Sequence, residues 1–176
     1  MLGSTGVQLP ILQLGTSQSL SSVYDRILHR SYREGISVLD TALSYGRGSS
    51  HRAIAKFTAQ IGDRSRLWIT SKSDAWGING LIADADKCLD QLKTDYLDLY
   101  QCHRFDPLVP LAETVTAMGD LIRSGKLLYW GTSCWSADEL RQTVALCREL
   151  GQPAPISEQP PYNMVSRQIE DEVMPA

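Results

Sequence analysis

A chain of 176 residues, 43% apolar and 21% charged, is long enough for one globular domain with a real core and too short to expect two. Its 17 basic and 20 acidic side chains leave a net charge of −3 with no run of one sign, which excludes a nucleic-acid footprint and a polybasic membrane patch. No eighteen apolar residues run together, and Met1-Leu2-Gly3-Ser4-Thr5-Gly6 lacks the basic-then-apolar pattern of a targeting peptide, so a cytoplasmic protein without a membrane partner is expected.

In chain order, Gly3 to Leu12, with turn residues at Ser4-Thr5-Gly6, reads as a short N-terminal β-hairpin. Strand-like runs then end near Gly15, Asp40, Lys72, His103, Ser133 and Gln159, and the last five stops lie 32, 31, 30 and 26 residues apart. That is the length of a strand plus a crossover helix. Val23, Ile27 and Leu28 mark a first helix that Gly35 ends. Ile78, Leu81, Ile82, Ala85, Cys88, Leu89 and Leu92 follow the i, i+3, i+4, i+7 spacing of one buried helix face. Leu111, Val115, Met118 and Ile122 repeat it, with Gly125 placed to end that helix. Ser136 and Glu139 form a capping-box pair ahead of Leu140, Val144 and Cys147.

Alternating strands and helices build a parallel sheet, either open and doubly wound or closed as an eight-unit barrel. The first strand–helix turn, Leu14-Gly15-Thr16-Ser17-Gln18, has no G-x-G-x-x-G phosphate fingerprint, which favours the barrel. So does the spread of polar strand-end residues over four consecutive units, since an open sheet concentrates its site at one switch point. The expectation is an α/β fold: a (β/α)8 TIM barrel, truncated after about six strands, forming a single domain over residues 1–176 that is incomplete at its C-terminus. A closed barrel typically needs about 250 residues.

Four residues at those strand ends, Asp40, Tyr45, Lys72 and His103, are of the types that hold and protonate a carbonyl. In a parallel barrel the C-terminal ends of different strands converge on one mouth, so distant positions become neighbours. Taken singly, each has a plain structural reading as a turn aspartate, a rim tyrosine, a solvated lysine or a hydrogen-bonded histidine. Their shared placement outweighs those readings.

The run Asp40-Thr41-Ala42-Leu43-Ser44-Tyr45-Gly46 resembles the aldo-keto reductases, especially the branch that includes potassium-channel β subunits and their bacterial reductase relatives. Trp68 to Lys72, Asp95 to His103, Gly125 to Ser133 and Glu158 to Asn163 continue the resemblance in family order. It implies an NAD(P)H-dependent oxidoreductase that reduces aldehydes or ketones to alcohols, of which this chain is an N-terminal portion, inactive in isolation. NADPH is the implied cofactor, with NADH as the alternative, and the partner is a small-molecule carbonyl substrate; a homo-oligomer is also allowed. Tyr45 would supply the proton, Lys72 would lower the Tyr45 pKa, Asp40 would pair with Lys72, and His103 would orient the substrate oxygen. Thr16, Asp40, Ser133 and Gln159 would contact the cofactor, and no metal is implied.

The chain departs from the family pattern at His51, Ala55 and Cys134. Channel β subunits usually carry Asn where His103 stands, so His103 points to the reductase side. The alternative is a non-enzymatic, cofactor-binding regulatory subunit like those β subunits. Cys88, Cys102, Cys134 and Cys147 show no C-x-x-C spacing and read as free thiols. His29 and His51 read as helix residues without a metal, and Asp84 and Asp86 as solvated. Trp76 and Trp135 either line the substrate pocket or pack loops.

Overall fold

The computed structural model describes residues 2–3, 5–17, 23–75 and 77–176, so Ser4, Gln18, Trp76 and the Val23 side chain lie outside the described residues. Five strands form one sheet: β1 (Leu14–Gly15), β2 (Val38–Asp40), β3 (Trp68–Ser73), β4 (Leu97–Cys102) and β5 (Leu127–Thr132). Between and after them run α1 (Val23–Arg33), α2 (Ser49–Ile61), α3 (Gly77–Leu92), α4 (Leu111–Arg123) and α5 (Ala137–Glu149). All neighbouring strands are parallel and the spatial order is the sequence order. That order has no switch point, which is how part of a barrel wall reads and how a doubly wound sheet does not.

Side-chain alternation along each strand sorts the residues into two faces. Leu39, Ile69, Tyr100, Cys102 and Trp130 point to the helices and join one core with Leu28, Ile54, Leu81, Cys88, Val115 and Met118. Val38, Trp68 and Leu99 point the other way and form a second cluster, onto which Leu2, Val7, Leu9, Tyr129 and Ile156 pack. On this inner face the residues change from apolar to polar toward the strand C-termini: Val38 to Asp40, Trp68 through Thr70 to Lys72, and Leu99 through Gln101 to His103.

The anticipated helix faces are buried at Leu81, Ala85, Cys88 and Leu92 in α3 and at Val115 and Met118 in α4. Gly35 and Gly125 end their helices at φ +87° and +75°, a left-handed geometry that side chains resist. The Ser136–Glu139 capping box forms with both bonds present. In α1 the core residues are Tyr24 and Leu28, whereas Ile27 is exposed. Asp84 also departs from expectation: it accepts from the Ser73 hydroxyl at 2.8 Å and is largely covered, while Asp86 is exposed as anticipated.

Two of the expected strands are weaker than anticipated. The sixth run touches β5 only as a bridge between Thr132 and Glu158, held by Ile156 N to Trp130 O, Thr132 N to Ser157 O and Gln159 N to Thr132 O. Pro153, Pro155, Pro160 and Pro161 flank those four residues, and prolines have no N–H to extend a ladder. Gly131 permits the approach, since a Cβ there would lie 2.7 Å from the Ser157 carbonyl oxygen. At the N-terminus the expected hairpin is a turn, closed by Leu2 N to Val7 O, and among the described residues it has no strand. Pro10 removes a donor there, and packing of Leu2, Val7 and Leu9 on the inner face holds the segment instead.

Candidate active site

Parallel register places Asp40 beside Thr70, Lys72 beside Gln101 and Cys102 beside Thr132, so the polar strand ends share one edge of the sheet. Lys72 is 2% exposed and its Nζ donates to Asp40 Oδ2 at 2.5 Å and to the Thr41 carbonyl at 3.3 Å. Burial holds the ammonium below its ordinary value, while the Asp40 charge, the hydrogen bond to it and the Asp74 charge oppose that shift.

Tyr45 reaches this pair from a short turn, Tyr45–Gly48, between β2 and α2. Its left-handed residues, Gly46, Arg47 and Gly48, let the loop fold back over the strand end. The Lys72 ammonium lies 5.5 Å from the centroid of the Tyr45 ring. On the other side the His103 ring meets Tyr45 edge-on, centroids 6.2 Å apart. The structure therefore brings all four residues together, with one correction to the expected contacts: Lys72 faces the ring of Tyr45, and the phenol has no hydrogen bond among the described residues.

The expected lowering of the Tyr45 pKa is not found. Burial raises it above 10, and the Asp40 and Asp74 carboxylates push in the same direction. Burial is the largest cause, and Asp40, although paired with Lys72, still adds to it.

Sequence reasoning missed Asp74. It stands two residues beyond Lys72, on the loop after β3, and its Oδ1 lies 2.6 Å from His103 Nδ1. The available signal was that i, i+2 spacing, which projects both side chains to one face. A second missed feature lies on the helix side of β3. His51 is fully buried, with Nδ1 3.0 Å from Gln91 Oε1 and Nε2 3.0 Å from Ser71 Oγ, and burial lowers its pKa to about 4. It ties α2, and with it the Tyr45 turn, to the strand that carries Lys72.

Thr16 adjoins Asp40 through its backbone N–H, 2.9 Å from the Asp40 carbonyl, and its buried hydroxyl has no partner among the described residues. Ser133 Oγ donates to the Gln159 carbonyl at 2.9 Å. Gln159 borders a cavity of about 160 Å³ on the inner face, which Gln101, whose buried Oε1 has no partner among the described residues, also lines. The open hydrogen-bonding capacity of the Thr16 hydroxyl and of Gln101 Oε1 suits a neutral carboxamide such as that of nicotinamide. Among the described residues no three His, Cys, Asp or Glu side chains are grouped to hold a metal. Trp135 is buried and packs edge-on against Phe105, centroids 4.9 Å apart, so it packs loops. Cys88, Cys102 and Cys147 are buried free thiols and Cys134 is exposed.

A sequential parallel sheet with a Lys–Asp pair, a tyrosine and a histidine gathered at the C-terminal ends of its strands is part of a barrel wall bearing a polar site. The model of the aldo/keto reductase family matches residues 12–176, and the chain belongs to that family. It is 32% identical to a putative voltage-gated potassium channel subunit beta of Schizosaccharomyces pombe, over 99% of this chain and 56% of that protein. It is 35% identical to the aldo-keto reductase YhdN of Bacillus subtilis, over 81% of this chain and 44% of that protein. Among solved structures, the thermostable aldo-keto reductase Tm1743, crystallised with the inhibitor epalrestat, superposes with a TM-score of 0.86 at 30% identity, covering 98% of this chain and 65% of that one. The chain thus spans about half the length of the curated relatives it matches, and its sheet matches part of the family's (β/α)8 barrel. Among the described residues no helix is long and apolar enough to cross a membrane.

Proposed function

We propose that this chain carries the proton-delivering part of an NAD(P)H-dependent oxidoreductase that reduces aldehydes or ketones to alcohols. The observation that carries the reading is the buried Lys72–Asp40 pair against the face of Tyr45, with His103 on the other side. A bound nicotinamide, NADPH by family resemblance, would supply hydride to the carbonyl carbon. Tyr45, whose raised pKa keeps its proton in place at neutral pH, donates that proton to the oxygen as alkoxide character develops. Lys72 offsets the phenolate charge that remains, and water later returns the proton. Asp40 holds Lys72 in position, and His103 hydrogen-bonds the reacting oxygen. Thr16, Asp40, Ser133 and Gln159 are the proposed cofactor contacts.

A second reading, a cofactor-binding regulatory subunit, rests on the likeness to the channel-subunit relatives. The two separate in a chimera where this chain replaces the matched portion of the thermostable reductase. Aldehyde-dependent NADPH oxidation is expected, with Tyr45→Phe lowering turnover by about 10²–10⁴-fold at unchanged cofactor binding. Near-parent turnover by Tyr45→Phe would remove Tyr45 as the acid, and cofactor binding without turnover by the unmutated chimera would favour the regulatory subunit.

A further inference from the structure

We infer that Asp74 is a positioning residue that sets the tautomer of His103, and so sets which hydrogen bond His103 offers the reacting oxygen. Asp74 Oδ1 lies 2.6 Å from Nδ1, while the His103 backbone N–H is fixed to the Ser73 carbonyl at 3.0 Å. An ionised carboxylate only accepts, so the proton between them belongs to Nδ1. Neutral His103 then presents a bare lone pair at Nε2, and only the imidazolium presents an N–H there. Given the proposed function, Nε2 of neutral His103 accepts from an alcohol hydroxyl, and protonated His103, with Asp74 as counter-ion, donates to a carbonyl oxygen. The charged and titratable groups around this ring are Asp74 on the loop after β3, Tyr45 on the turn after β2, the Asp40–Lys72 pair behind Tyr45, and exposed Arg104 next in the chain.

The arrangement differs from a surface ion pair in its consequence. A salt bridge whose Asp74 end is half-exposed contributes little to stability, but the tautomer it selects changes the chemistry of the far nitrogen completely. Asp74 also reaches both neighbours electrostatically, adding to the rise of the Tyr45 pKa and partly opposing the burial that lowers that of Lys72.

The test is ¹⁵N NMR of imidazole-labelled 176-residue chain at a pH where His103 is neutral, assigned with His103→Gln. The expected spectrum has Nδ1 protonated and Nε2 bare in the parent. Asp74→Ala should shift His103 toward the Nε2–H form, and Asp74→Glu should restore the parent pattern. A parent spectrum with Nε2 protonated, or an unchanged tautomer in Asp74→Ala, overturns the inference. This readout needs no turnover, so it stands or fails separately from the chimera assay.

Discussion

Replacing His51 should remove a defined part of the chain's acid sensitivity. In the folded protein burial lowers the His51 pKa from 6.5 to about 4, with Arg52 adding a smaller push and the Gln91 bond opposing. A depressed folded-state value means that the stabilising contribution is present above 6.5 and is lost as pH falls through 4, because the unfolded chain takes up the proton first. The difference of about 2.5 pKa units corresponds to about 3 kcal/mol, a large share of a typical net stability of about 5–15 kcal/mol. His51→Gln keeps a polar group in the buried network but has no proton to gain. It should cost about 1 kcal/mol at pH 7 for the lost hydrogen bond and lose less than the parent on acidification. Urea denaturation at fixed protein concentration, at steps from pH 7 to pH 4, measures both. The carboxylates titrate in parent and variant alike, so the difference between the curves isolates His51. Curves that stay parallel through that window would refute the argument.

Arg64 donates to Asp98 at 2.6 Å and to the Leu67 and Tyr96 carbonyls, while Asp98 also accepts from the Ile69 backbone, all at the strand end away from the site. Arg64→Ala leaves a mostly buried carboxylate without its cation and should cost about 3 kcal/mol, read as a lower denaturation midpoint; an unchanged midpoint would remove the pair as a structural clamp. Among the described residues the sheet has unpaired edges at β1 and beyond the Glu158 bridge, and Ile11 and Leu12 are exposed beside β1. Such edges template association, so sedimentation of the 176-residue chain should rise with concentration and no aldehyde-dependent NADPH oxidation should be seen; a monodisperse, active monomer would contradict both.

The fold was legible where two periodicities agreed. Strand-like runs ended at near-constant spacing, most of them on polar residues, and 3.6-period faces such as Leu81-Ala85-Cys88-Leu92 lay between them, so strand, helix and parallel order followed together. The sixth run misled because Ile156 to Gln159 has strand composition, while the prolines around it limit how far a ladder can extend. Ile27 misled for a different reason: α1 buries Tyr24, an amphipathic residue that apolar counting ranks below Ile. Its hydroxyl finds the Gly15 carbonyl at 2.5 Å, which lets the ring take the core position. The candidate set Asp40, Tyr45, Lys72 and His103 was legible by strand-end position. Asp74 was signalled only by its i, i+2 spacing from Lys72, and its contact with His103 depends on how a loop turns after the strand.

The corrected electrostatics change what the site asks of its residues. A lysine that lowered the tyrosine pKa would pre-ionise the donor and leave less of it able to give a proton. Here Lys72 is already matched by Asp40, and two carboxylates face a half-buried phenol, so the ground state holds the proton firmly. In the proposed reaction the proton would move only when the acceptor becomes a stronger base than the phenolate, which an alkoxide forming at the substrate oxygen is. Charge then appears on Tyr45 next to an ammonium in low-dielectric surroundings, where their attraction exceeds its value in water. In the proposed mechanism the Lys72 ammonium, held in place by Asp40, therefore contributes more when the phenolate forms than before, which is the condition for an interaction to raise turnover rather than ground-state binding. By the same reasoning, removing the Lys72 charge should lower turnover far more than it weakens cofactor affinity.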